Sequence, residues 1–90
     1  MIILGIEGGG TRTSALLVNS ETDTVLANLT LGPGNLHLLS SEALAERLGE
    51  IGSQLPVEPD RIGIGFAGVR SEGDRERLTA AVARAWPAVP

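Results

Sequence analysis

The sequence contains no cysteine and very few aromatic residues, and both absences limit the class of protein. Without cysteine, the chain forms neither disulfide bonds nor thiolate metal sites. The core must consist mainly of aliphatic side chains, because the chain has one Phe, one Trp and no Tyr. The formal net charge is −4 and the arginines are not clustered, so the basic footprint of a nucleic-acid-binding protein is absent.

Long apolar runs are also absent. No segment approaches the roughly 20 apolar residues that cross a bilayer. The apolar N-terminal segment has no basic residue before it and is interrupted by the carboxylate of Glu7, so it does not fit the pattern of a signal peptide. We therefore expect a cytoplasmic protein with neither a membrane nor a nucleic-acid partner.

The 90 residues suffice for one small domain, and the hydrophobic pattern predicts its elements. Short apolar runs bounded by turn residues predict strands at 2–6, 13–18, 25–31 and 61–66. The first run is almost unbroken, which favours a strand covered on both faces. Two helices are expected, one after Ser40 or Ser41 and one after Ser71, since these serines can cap a helix. The helices would bury two sets of side chains: Leu44, Leu48, Ile51 and Leu55, then Leu78, Val82 and Ala85.

The predicted order is β-β-β-α-β-α, an α/β fold with a mixed sheet and helices packed on it. The first three strands have short links and should form an antiparallel meander. A crossover helix then brings the fourth strand parallel to one of them, most economically beside a central first strand.

A glycine turn, Gly8-Gly9-Gly10, follows the first strand, with Thr11 next. Successive N–H groups in such a turn can bind an anion, and a threonine hydroxyl adds a donor. Glu7 directly before the turn can hold Mg²⁺ through water. These are the parts that phosphoryl transfer needs. A plain glycine-rich hairpin, with Glu7 at an exposed strand end, is the competing interpretation.

Two other phosphate motifs can be compared with the sequence. The P-loop pattern is absent, because the chain has no Gly-Lys pair. Gly63, Gly65 and Gly68 match the G-x-G-x-x-G dinucleotide pattern, but the carboxylate expected about 20 residues later is missing. We interpret these glycines instead as sites where a helix packs closely on the strand, or as the mouth of a cleft.

Three segments together resemble one family. Residues 4–13 (LGIEGGGTRT) resemble the first phosphate motif of the sugar kinase, heat-shock protein and actin superfamily, and are most similar to the BadF/BadG/BcrA/BcrD ATPase family, which includes N-acetylglucosamine kinases. Residues 32–36 (GPGNL) resemble its Gly-Pro-x-Asn loop, and 63–69 (GIGFAGV) its Gly-x-Ala-Gly segment. The resemblance covers essentially the whole chain and implies a ribonuclease H-like (actin-like ATPase) half-domain over residues 1–90.

The resemblance also implies roles for individual residues and two cofactors, ATP and Mg²⁺. Glu7 stands where the wider superfamily more often has Asp, and would lie on the metal side. The ATP phosphates would contact Gly8, Gly9, Gly10, Thr11 and Arg12, and an amino sugar would contact Asn35, His37 and Gly68.

No catalytic residue is assigned within this chain. In the family, the catalytic Asp ends the strand after the fourth, and the adenosine pocket lies in a second lobe. Within this chain, the candidates for the catalytic base by residue type alone are Asp60 and Asp74. We therefore expect the N-terminal phosphate-binding segment of an ATP-dependent sugar kinase, inactive alone.

Three alternatives remain, namely an ATPase subunit that activates a dehydratase or reductase, a non-catalytic module of the same fold, and a dinucleotide-binding protein. The activator ATPases carry iron–sulfur cysteines, and none occurs here. The uncovered edge of the fourth strand also predicts a homodimer or self-association.

Overall fold

The computed structural model describes residues 1–34 and 39–89. These residues form a four-stranded mixed sheet and two helices in the predicted order, so the chain belongs to the α/β class. The elements are β1 (Ile2–Gly8), β2 (Thr13–Asn19), β3 (Thr24–Leu31), α1 (Ser41–Gln54), β4 (Arg61–Phe66) and α2 (Glu72–Ala85).

The strand order in the sheet is β3-β2-β1-β4. β1 pairs antiparallel with β2, and β2 pairs antiparallel with β3, so the first three strands form the expected meander. β1 pairs parallel with β4, because α1 carries the chain back across the sheet. The predicted central position of the first strand beside the fourth is confirmed.

The hydrophobic core lies between one face of the sheet and the two helices. Alternate side chains of β1 and β2 point into it, as the twofold period of a strand requires. Each helix adds residues from its apolar face, and Trp86 closes the core just after α2. The buried side chains are Leu4, Ile6, Ala15, Leu17, Leu44, Leu48, Ile51, Phe66, Leu78 and Trp86.

The opposite face of the sheet is uncovered in the described part of the chain, and we call it the open face. Ile3 and Leu16 are exposed there at 38% and 41%. A Cβ built on Gly63 or Gly65 would meet no atom within 4 Å, so no described helix packs against these glycines. The expectation of a first strand covered on both faces is therefore wrong for the described residues. An unbroken apolar run has no alternation, and so it cannot show that only one face is covered.

Both helices begin at the predicted serines. The Ser40 Oγ accepts a hydrogen bond from the Ala43 N–H at 3.0 Å, and the Ser71 Oγ accepts one from the Asp74 N–H at 3.2 Å. Each cap satisfies one of the N–H groups that a first helical turn leaves unpaired. Neither helix in the described residues is long and apolar enough to cross a membrane.

Candidate functional site

Three loops meet at the end of the sheet where β1 finishes. The Gly9 carbonyl accepts a hydrogen bond of 2.8 Å from the Gly34 N–H, which ties the glycine turn to the loop after β3. The Gly8 carbonyl accepts one of 2.8 Å from the Ala67 N–H, which ties the turn to the loop after β4. The fold thus brings together the described parts of the three segments that the sequence singles out.

Gly8 and Gly34 touch backbone to backbone. A Cβ on Gly8 would lie 2.5 Å from the Gly34 carbonyl oxygen and 2.8 Å from Cδ1 of Phe66. A Cβ on Gly34 would lie 2.4 Å from the Thr13 Oγ1 and 2.6 Å from the Gly8 Cα. Both positions therefore need glycine for packing. Gly8, expected to contact phosphate, is buried beneath the turn.

The exposed part of the turn is Gly10, Thr11 and Arg12. The Gly9 N–H donates to the Arg12 carbonyl at 2.8 Å and closes the hairpin, so this donor is already used. Within residues 1–34 and 39–89, no hydrogen bond uses the N–H of Gly10 or Thr11. Among the described residues, nothing competes with an anion for these two donors.

Gly10 has no structural reason to be glycine in the described fold. A Cβ there would meet nothing within 4 Å, and φ at this residue is not positive. A side chain would instead fill the space above the turn. Of the three glycines in the turn, only Gly10 has open space at the position of a Cβ among the described residues.

Glu7 lies on the open face next to the turn and is exposed. Ser14 pairs with it on β2 and Gly65 on β4. All three line a shallow trough of about 660 Å³ along this face. The described residues contain no group of three or more His, Cys, Asp or Glu side chains that could hold a metal ion. A Mg²⁺ ion held by Glu7 through water would have water and phosphate oxygens as its ligands, which is how this ion is usually bound.

Gly68 has a backbone reason to be glycine, because its φ is 89°. Residues with a side chain rarely adopt this left-handed conformation. Gly68 follows Ala67, whose N–H contacts the glycine turn, so it borders the same cluster of loops. Asn35 and His37, the other expected sugar contacts, lie outside the described residues.

The two aspartates named by residue type have structural roles. The Asp60 carboxylate accepts from the Ile2 N–H at 2.7 Å, at the opposite end of β1 from the glycine turn. The Asp74 carboxylate accepts from the Arg70 N–H at 3.0 Å, at the start of α2. Neither contact leads toward the turn.

Thr13 is a residue of the site that the sequence reasoning missed. Its side chain is fully buried, and its Oγ1 donates to the Gly32 carbonyl at 2.9 Å. This bond holds the loop after β3 against the start of β2, beneath Gly34. The alternation of Thr13 with the apolar Ala15 and Leu17 was the available signal, because all three share the inward face of one strand.

No protein-family model matches the chain, and no curated protein matches it.

Proposed function

We propose that this chain is the N-terminal phosphate-binding segment of an ATP-dependent sugar kinase of the BadF/BadG/BcrA/BcrD ATPase type. The observation that carries the proposal is the glycine turn, whose N–H groups at Gly10 and Thr11 have no partner among the described residues and which is held in place by two neighbouring loops. The sheet order and the parallel pairing of β1 with β4 are compatible with the ribonuclease H-like fold that such a kinase has.

The residues of the turn divide into two functions in this proposal. Gly8 and Gly9 hold the turn against the loops after β4 and β3. Gly10 and Thr11 present N–H donors, and Thr11 adds an exposed hydroxyl, so they receive phosphate oxygens. The Arg12 guanidinium is exposed beside them and supplies positive charge to the nucleotide.

ATP supplies the transferred phosphoryl group, and Mg²⁺ neutralises the phosphate charge when both are bound. Glu7 is the residue that would orient the metal's water ligands, because its carboxylate is exposed beside the turn. An amino sugar such as N-acetylglucosamine is the proposed acceptor. Gly68 would border its cleft, with Asn35 and His37 as the remaining proposed contacts. The catalytic base is not assigned within this chain.

The proposal can be tested by following single backbone amides. We would titrate the ¹⁵N-labelled chain with Mg²⁺-tripolyphosphate and with Mg²⁺-ATP, and record amide shifts by NMR. The largest shifts are expected at Gly10 and Thr11, with similar responses to both ligands, since this segment contacts phosphate and not adenosine. Shifts confined to the arginines of α2 would contradict the proposal, because they would indicate non-specific charge attraction.

Two pairs of variants sharpen this test. Thr11→Val removes a hydroxyl at the turn, and Thr79→Val makes the same change on the exposed face of α2. A hydrogen bond to a charged group contributes about 1.5–3 kcal/mol, so Thr11→Val should weaken phosphate binding tenfold or more. Gly10→Ala places a methyl group above the turn, and the control variant Gly49→Ala places one in equally open space on α1. Equal affinities within each pair would refute the assignment of the turn.

An ATPase subunit that activates a dehydratase or reductase is the second candidate from the same resemblance, and the Gly-Pro-x-Asn resemblance of residues 32–36 favours the kinase over it. A non-catalytic module that binds phosphate through the same turn is the third. A phosphate-binding turn is common to all three candidate functions, so the titration tests the site alone. An activity assay on the intact protein distinguishes the three functions.

A further inference from the structure

Arg47 on α1 is a mostly buried arginine whose burial is poorly compensated. Its side chain is 20% exposed, and its Nε atom is buried with no hydrogen-bond partner among the described residues. Its Nη1 lies 3.5 Å from the Oε2 of Glu50, whose side chain is 52% exposed, so this ion pair contributes little to stability. A buried donor without a partner costs stability. The position of Arg47 therefore calls for a reason other than stability.

The guanidinium of Arg47 lies against Gly32, the first residue after β3. A Cβ on Gly32 would be 3.0 Å from the Arg47 Nη2 and 3.4 Å from its Cζ. The φ of Gly32 is outside the left-handed region, so its backbone does not require glycine. The two residues explain each other, because the glycine leaves the space that the guanidinium occupies.

Gly32 is connected to the glycine turn through the loop that follows it. The Gly32 carbonyl accepts a hydrogen bond of 2.9 Å from the Thr13 Oγ1, and the same hydroxyl lies against Gly34. The Gly34 N–H in turn donates to the Gly9 carbonyl at 2.8 Å. A shift of Gly32 would therefore move Gly34 and weaken its bond to the turn.

The bond from Gly34 fixes the direction in which the Gly10 N–H points. The Gly9 carbonyl and the Gly10 N–H belong to one planar trans peptide group, so they point in opposite directions. Because Gly34 holds the carbonyl on one side, the N–H faces the other side, away from the loop after β3. The same bond polarises the peptide group, which strengthens the N–H as a donor.

We propose that Arg47 is a positioning residue of the glycine turn. Its guanidinium holds the loop after β3 where the Gly34 N–H meets the Gly9 carbonyl, and this bond aims the Gly10 N–H at a phosphate oxygen. Arg47 acts through Gly32 and Gly34 and not by contact with phosphate. The inference rests on the proposed function, because it concerns the same phosphate-binding turn.

Hydrogen exchange of the Gly34 amide tests the positioning role in the ligand-free chain. Arg47→Met keeps the aliphatic stem and removes the guanidinium, so this amide should exchange about tenfold faster, as expected for residues coupled by contact. The buried Nε is removed as well, so the urea midpoint should stay unchanged or rise. A merely structural arginine would instead give a lower midpoint and no selective effect at Gly34. The control Arg84→Met makes the same change at an exposed position of α2 and should alter neither quantity.

Gly32→Ala disturbs the same contact from the other side. The added methyl group would lie 3.0 Å from the Arg47 Nη2 and displace the guanidinium. Gly32→Ala should therefore speed exchange of the Gly34 amide in the unmodified chain and have no further effect in the Arg47→Met background. Additive effects would show that the two residues act independently, and would count against the proposal.

Phosphate affinity connects this contact with function. In the titration with Mg²⁺-tripolyphosphate, Arg47→Met should raise the dissociation constant about tenfold, because a hydrogen bond weakens steeply when its angle is poor. Ile51→Val is the matched control for stability, since it deletes a methyl group from a fully buried side chain of the same helix. It should lower the urea midpoint and leave the dissociation constant unchanged.

Two results would overturn the proposal. They are an unchanged exchange rate of the Gly34 amide in Arg47→Met, and an unchanged dissociation constant in that variant. If the unmodified chain binds tripolyphosphate and Arg47→Met binds it equally well, the proposed function stands and this inference alone fails. If the unmodified chain does not bind tripolyphosphate, the proposed function fails, and the role of Arg47 at a phosphate site fails with it.

Discussion

Gly8→Ala should destabilise the fold, whereas Gly10→Ala, two residues away in the same turn, should not. The added Cβ at position 8 would lie 2.5 Å from the Gly34 carbonyl oxygen and 2.8 Å from the Phe66 ring. Both neighbours are held, the first by the hydrogen bond from Gly34 to Gly9 and the second by burial of the ring. Overpacking of this kind costs about 1–3 kcal/mol of unfolding free energy.

For the matched change at position 10, we expect no loss of stability. The methyl group meets nothing within 4 Å and φ is not positive, so no strain arises in the folded chain. Replacing glycine also reduces the freedom of the unfolded chain, which stabilises a compatible position by about 0.4–1 kcal/mol. Gly10→Ala should therefore have unchanged or slightly higher stability.

Urea denaturation followed by Trp86 fluorescence measures both effects. The protein concentration is held fixed, because any self-association contributes to the apparent stability. Thermal unfolding gives a second readout, since 1 kcal/mol shifts Tm by roughly 4–8 °C in a domain of this size. Equal stability of the Gly8→Ala variant and the unmodified chain would refute the reasoning. The reasoning would also be refuted if Gly10→Ala lowered the free energy of unfolding as much as Gly8→Ala does.

Further predictions concern a buried bond, a helix cap and activity. Thr13→Val leaves the Gly32 carbonyl without its 2.9 Å donor and should cost about 1–3 kcal/mol in urea denaturation. Ser71→Ala removes the cap of α2 and should cost about 1 kcal/mol, with a matching loss of helical circular dichroism on heating. The chain alone should release no ADP from Mg²⁺-ATP and N-acetylglucosamine; steady release in a coupled assay would show that the base lies within these residues.

The elements and their order could be predicted because local signals agreed with one another. Leu44, Leu48 and Ile51 follow the helical period and are all buried. The short links between the first three strands required a meander, and the crossover helix then left β4 few positions in the sheet. Each of these inferences depends on residues near one another in the chain.

The site was only partly predictable, because its details depend on contacts between distant residues. Gly8 and Gly34 need glycine because they touch each other, and no spacing in the sequence shows this contact. The sequence presents Gly8, Gly9 and Gly10 as equivalent. The fold buries the first, uses the N–H of the second inside the hairpin, and exposes only the third.

The parallel pairing of β1 with β4 has a consequence for the order of folding. The hairpins of the meander join neighbouring segments, whereas Ile2 and Asp60 meet across a sequence separation of 58. Closing so long a loop costs more entropy than closing a hairpin, so we expect the meander to form first and β4 to dock late. In a refolding experiment, the amides of β2 and β3 should accordingly gain protection from hydrogen exchange before those of β4.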